Sequence, residues 1–124
     1  MAPIVNRPVT ANYLVSEASG MYRSRDAVTV TNTSSTATLL PGTLLGRLTA
    51  TGRYVRHTLG ASDGSQTVAG ILFEEVAPSS TKERTVTRRD CEVAGSHLIY
   101  AAGSTAAQIE TANAALLALG IVVR

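Results

Sequence analysis

Tryptophan is absent from this 124-residue chain, and cysteine, phenylalanine and lysine occur once each, as Cys91, Phe73 and Lys82. A single cysteine excludes an intramolecular disulfide and fits a reducing compartment, or one where no bridge is needed. No apolar run approaches the ~18 residues of a membrane-spanning helix, so no membrane association is expected. The opening "MAPIVNRPVTANYLVSEASG" lacks a basic start followed by an apolar block, so no secretory signal is expected either. Aromatic residues make up only 4% of the chain. Large side chains bring the most area per burial event, so the expected core is thin and oligomerisation would add burial.

What is present is enough for one ordinary domain. Apolar residues amount to 44%, much of it alanine. The net charge of +2 is small and scattered, which does not fit the concentrated basic face of a nucleic-acid binder. The basic residues are arginines apart from Lys82, and arginine favours bidentate and interface contacts.

Residues 1–20 read as an extended arm. Pro3 and Pro8 oppose helix, while Val9, Tyr13, Leu14 and Val15 are apolar or β-prone, which predicts pairing with something outside the domain. Residues 21–124 form the body. "AVTVTN" from Ala27 to Asn32 predicts a strand. "TLLGRLTA" and "TGRYVRHTL" predict a hairpin turning at Thr51-Gly52. "VAGILFEEV" predicts a strand in which Gly70 marks a bulge or a close backbone approach. "APSSTKE" reads as a loop, "RTVTRRDCEVA" as one strand, and "SHLIYAAG" as a short strand.

The period then changes. Ile109, Ala112, Leu116 and Leu119 fall on one helical face, with Thr105 and Gln108 as a capping box and Gly120 just past the end. "IVVR" returns to β character. The expected class is mainly β or α+β: a small single domain of short antiparallel strands with one C-terminal amphipathic helix and an extended N-terminal arm.

Candidate chemistry is sparse. Glu74 and Glu75 are adjacent, and neighbours on a strand point to opposite faces, so they cannot flank one bond. His57 and Asp63 with Ser65 or Ser96 can be drawn as a triad, but no nucleophile-elbow pattern surrounds either serine. Cys91 and His97 are a second pair, although a lone cysteine is more often a small buried hydrophobe. Two histidines and one cysteine lack ligand spacing for zinc, and no phosphate loop is present. No catalytic residue, metal site or cofactor is therefore expected, and "DGSQTVAGILFEEV" from Asp63 to Val76 reads as scaffold.

The ordered set "SEASGMYRSRDAVTV", "PGTLLG", "DGSQTVAGILFEEV", "CEVAGSHLIY" and the closing helix with "LGIVVR" resembles the bacteriophage head decoration proteins, the lambda type. The resemblance runs from Ser16 onward. It implies a non-enzymatic homotrimer on the outer surface of an icosahedral phage head, at local threefold axes after shell expansion. The major capsid protein would be its partner, and the shell would gain resistance to internal DNA pressure. It also implies an arm that orders on the capsid by strand pairing. Val9, Tyr13, Leu14 and Val15 are the expected capsid-pairing residues, with Arg23 and Arg25 in the matching "RSR" segment. The alternatives are another phage structural β domain, of tail tube or fibre, and a small hydrolase using Ser96 or Cys91 with His97. A nucleic-acid module, whose affinity would fall steeply with salt, is the third.

Overall fold

The computed structural model describes residues 9–18 and 21–124. Strand β1, Leu14–Glu17, is followed by a one-turn helix α1, Met21–Ser24, and then by the long strand β2, Arg25–Thr31. Strands β3, Leu44–Arg47, and β4, Tyr54–Arg56, form the expected hairpin. Gly52 has φ +75°, the left-handed value that turn requires. Strand β5 is Val68–Leu72, β6 is Thr81–Thr87, and β7 is Cys91–Val93. Helix α2, Ala106–Ala118, and strand β8, Ile121–Val123, complete the chain.

These strands make a closed barrel in the order β2-β4-β3-β5-β6 and a separate three-stranded sheet in the order β1-β7-β8. The result is a mostly β single domain with one substantial helix near the C-terminus. The barrel's weakest join is between β2 and β4, which are parallel and in register at a single pair, Val30 with Tyr54. On its other side β2 pairs with β6 along its whole length, from Arg25 with Thr87 to Thr31 with Thr81.

The thin core expected from the composition is divided in two. Leu45, Leu72, Val76, Val86, Val30 and Tyr54 fill the barrel. Leu44, Ile71, Val93, Leu116, Ile121 and Tyr13 fill the space between the barrel wall, the small sheet and α2. Successive residues of a strand face opposite ways. The dyads Leu44-Leu45 and Ile71-Leu72 therefore send one side chain into each core, and β3 and β5 become a wall shared by both. This double burial explains why these strands read as apolar runs instead of alternating.

Gly70 fits the irregularity expected of it. Leu45 pairs with Gly70 but Gly46 pairs with Val68, so Ala69 is the extra residue of a bulge. A Cβ at Gly70 would also lie 2.7 Å from Val86 Cγ1.

Helix α2 begins as read. Thr105 Oγ1 accepts from the Gln108 amide at 3.3 Å, and the Thr105 amide donates to Gln108 Oε1 at 2.8 Å. Ala112 and Leu116 are its buried residues.

Three readings are corrected. "RTVTRRDCEVA" is not one strand: Asp90 adopts φ +51°, which ends β6 and redirects the chain into β7 of the other sheet. Strand β6 also starts at Thr81, inside the stretch read as a loop. "SHLIYAAG" contributes a 3₁₀ turn, Gly95–His97, and an isolated bridge from Ile99 to Thr43 in place of a strand.

Candidate functional site

The sequence places its candidate surface at the root of the N-terminal segment, and the structure divides those residues between the fold and the exterior. Tyr13 is fully buried, and its hydroxyl lies 2.7 Å from that of Thr87. The ring is part of the body's own core. Leu14 is half-buried against the same core. The strand that follows pairs antiparallel with β7, Leu14 with Val93 and Glu17 with Cys91. Strand β1 therefore has a pairing partner inside its own domain. Its first partner is β7, because Tyr13 and Leu14 bury apolar surface there.

Ion pairs secure the same root. Arg25 donates to Glu17 through Nε at 2.9 Å and through NH2 at 2.5 Å, and the Ser24 hydroxyl also donates to Glu17. The Arg25 guanidinium sits 4.2 Å from the centre of the Phe73 ring. Burial is the largest single influence on Glu17 and acts upward. The hydrogen bonds from Arg25 and Ser24 outweigh it and hold the carboxyl below its ordinary range. Arg25 is thus engaged within the molecule. Arg23 is mostly exposed and reaches Asp90 at 3.3 Å. Asp26 accepts from Arg89 at 2.6 Å and Arg88 at 2.8 Å, and these bonds, Arg89's first, depress its carboxyl.

Three large apolar side chains also face outward. Val9 is 68% exposed, Val15 57% and Leu117 61%. Val9 and Thr10 border a shallow basin of about 410 Å³ with Pro41, Glu74, Glu75 and Arg84. Ala11 then turns the chain with φ +57° and donates its amide to the Phe73 carbonyl at 3.0 Å. Leu117 was missed in the sequence. Its signal is its position directly after Leu116, which rotates it away from the buried face.

None of the drawn catalytic groupings assembles. The Ser65 hydroxyl donates to Asp63 Oδ1 at 2.6 Å, while His57 Nε2 bonds the Gln66 carbonyl at 2.9 Å. Serine and histidine therefore serve separate partners. Hydrogen bonds from the Ser65 hydroxyl and amide hold Asp63 below its usual range, as in a tight Asx turn. Cys91 is buried in the core, and that burial pushes its thiol up to about 12, the reverse of an activated nucleophile. His97 is exposed and contacts Asn12 at 3.5 Å. Glu74 accepts from the Thr85 amide at 3.3 Å, and the backbone carbonyl of Glu75 accepts from Arg84 at 3.1 Å. Among the described residues no group of three His, Cys, Asp or Glu side chains is placed to hold a metal ion. No helix among them is long and apolar enough to cross a membrane.

Exposed apolar side chains without convergent chemistry beside them suit assembly. Comparison with known families decides which assembly. The family model for bacteriophage lambda head decoration protein D matches residues 3–121. The chain belongs to that family. No curated protein and no solved structure gives a significant match to it. Membership makes it a phage structural protein of the head, located with the capsid, and the five sequence segments quoted above lie almost wholly within the matched span.

Proposed function

We propose that this decoration protein binds as a homotrimer to the outside of an expanded icosahedral phage head, at its local threefold axes. There it stabilises the shell against the pressure of packaged DNA. The observation that carries the reading is the family match over residues 3–121. The lambda-type resemblance supplies the trimer and the threefold position.

The mechanism is linkage. A ligand that binds only the expanded shell lowers the free energy of that state and so opposes rupture. Trimerisation multiplies the effect, since three tethered contacts act at high effective concentration. It would also add the burial that a chain with few aromatics lacks within one copy.

The capsid-binding arm in this reading is shorter than the sequence suggests, comprising residues 1–10, with Val9 at its base. Val15 on the exposed face of β1 and Arg23 on α1 continue the contact. Leu14 lends its exposed part. Tyr13 and Arg25 hold the root in place. Any segment that orders on docking loses conformational entropy, so contact area there yields less affinity than rigid surface would.

The test is co-sedimentation of the purified protein with undecorated expanded heads, alongside its mass in solution. Saturable binding to expanded heads, with density at threefold positions by electron microscopy, is the expected result. Binding to tails alone, or equal binding to unexpanded shells, would overturn the reading.

A further inference from the structure

A second surface, on the far strand of the barrel seam, carries three arginines without a carboxylate among the residues that line it. It is a trough of about 450 Å³ bordered by Ala27, Val28 and Thr29 of β2, by Tyr54, and by Arg47, Arg53 and Arg88. We propose that this trough is a docking site for an extended acidic segment of a partner protein, which adds as a strand beside β2 while its carboxylates meet the arginines.

The backbone motivates the strand. A strand paired on one side turns every second N–H and C=O toward its other edge. Strand β2 is fully paired with β6, yet β4 meets it in register only at Val30 with Tyr54. Ala27 and Val28, which border the trough, are therefore left without a strand partner on the β4 side, and strand addition satisfies such an edge.

The charge motivates the acid. No hydrogen bond or ion pair engages the Arg53 guanidinium among the described residues. Arg47 makes only a long contact, Nε to the Gly52 carbonyl at 3.4 Å. Arg88 shares Asp26 with Arg89, two cations to one anion, and its Nε–H is buried without an acceptor. A carboxylate is the group that satisfies a guanidinium bidentately. Along an added strand, alternate side chains face the same way. A segment with acids at every second position would thus present them together to Arg47, Arg53 and Arg88.

A nucleic acid fits less well. Single strands bind by stacking bases on open aromatic faces, and Tyr54, the one ring in the trough, is only 3% exposed. Nor would a sugar-phosphate chain satisfy the strand edge. The site is distinct from β1 and Val9, so it extends the proposed function without depending on it.

The experiment uses the full chain and a fluorescently labelled peptide alternating Glu and Thr over about six residues, a common strand length. The same peptide with Gln for Glu and a short single-stranded oligonucleotide are the comparison probes. Fluorescence anisotropy should show saturable binding of the Glu peptide that weakens with salt. Amide shifts should concentrate at Ala27, Val28 and Thr29. Arg47→Gln and Arg53→Gln should each weaken binding about threefold, and together about tenfold, as partly exposed ion pairs do. Both residues are exposed, so thermal melting should be unchanged. Absence of Glu-peptide binding up to millimolar concentration, equal binding of the Gln peptide, or equal or tighter binding of the oligonucleotide would each overturn the proposal.

Discussion

The hydroxyls of Tyr13 and Thr87 meet at 2.7 Å in the interior, joining the root of the N-terminal segment to the end of β6. Tyr13→Phe keeps the ring but leaves the Thr87 hydroxyl buried without this partner, and should cost about 1–2 kcal/mol. Tyr13→Ala also opens a cavity and should cost about 3–5 kcal/mol. Deletion of residues 1–15 removes Tyr13 and should unfold the domain. Chemical denaturation followed by circular dichroism measures all three. A folded 1–15 deletion with wild-type midpoint would show that Tyr13 is dispensable.

Glu17 gives the same root an acid sensitivity. Its carboxyl is held low because the bonds from Arg25 and Ser24 outweigh burial. A depressed carboxyl contributes stability that is complete above its unfolded value, ordinarily about 4.3, and is lost as pH falls through the lower folded value. Glu17→Gln should therefore destabilise the protein by about 1–3 kcal/mol at pH 7, and by progressively less below pH ~4. Urea midpoints at pH 7 and pH 3 should converge between variant and parent. Parallel curves at all pH values would mean that the ion pair is energetically idle.

Alkali acts through the other sign. Burial raises the Cys91 thiol to about 12 and raises the Tyr13 phenol as well. The stability these groups contribute is complete below their unfolded values, ordinarily about 8.5 and 10, and falls as pH rises toward the folded ones. Unfolding free energy should decline from about pH 9 upward, and Cys91→Ala should remove the earlier part of the decline. Native Cys91 should also react slowly with a disulfide reagent at pH 8 and rapidly in denaturant. Immediate labelling of the native protein would contradict the burial.

Helix α2 and the β3–β4 hairpin were legible because their signals are local. Thr105, Gln108 and Gly120 act within a few residues of themselves, and so does Gly52. The split of "RTVTRRDCEVA" was not legible, because its cause is a left-handed φ at Asp90, a residue that tolerates several conformations. The burial of Tyr13 was not legible for a different reason. A short β-prone stretch after two prolines looks the same whether it pairs with a partner chain or with β7, and only the fold brings Thr87 to it. The service of Ser65 to Asp63 and of His57 to Gln66 was not legible either, because the fold sets those partners. The arginine trough on β2 was illegible, since Arg47, Arg53 and Arg88 come from three separate segments.

Gly46 and Gly70 separate two costs of adding one methyl group. At Gly46 a Cβ would meet backbone, lying 2.5 Å from Ser65 Cα and 2.6 Å from its carbonyl oxygen. At Gly70 the nearest atom is the Val86 side chain at 2.7 Å, which can rotate, with the Thr87 carbonyl oxygen behind it at 3.0 Å. Gly70→Ala should cost about 1–3 kcal/mol, and Gly46→Ala more, because backbone must move apart. Melting temperatures of the two variants should fall in that order. The reverse order would mean that the Asp63–Ser65 turn yields more easily than the barrel interior.

Val15 offers the most direct test of how the outer face of β1 is used. Its side chain is 57% exposed, so Val15→Asp should change stability by no more than about 0.5 kcal/mol. If that face contacts the capsid, burying the new carboxylate would carry a desolvation penalty, and affinity for expanded heads should fall at least about tenfold. Leu117→Asp, at 61% exposure, is the matched substitution on α2. Loss of head binding by the Val15 variant alone assigns the contact to β1, and loss by the Leu117 variant alone moves it to the helix. Undiminished co-sedimentation by both would leave neither patch with a part in docking.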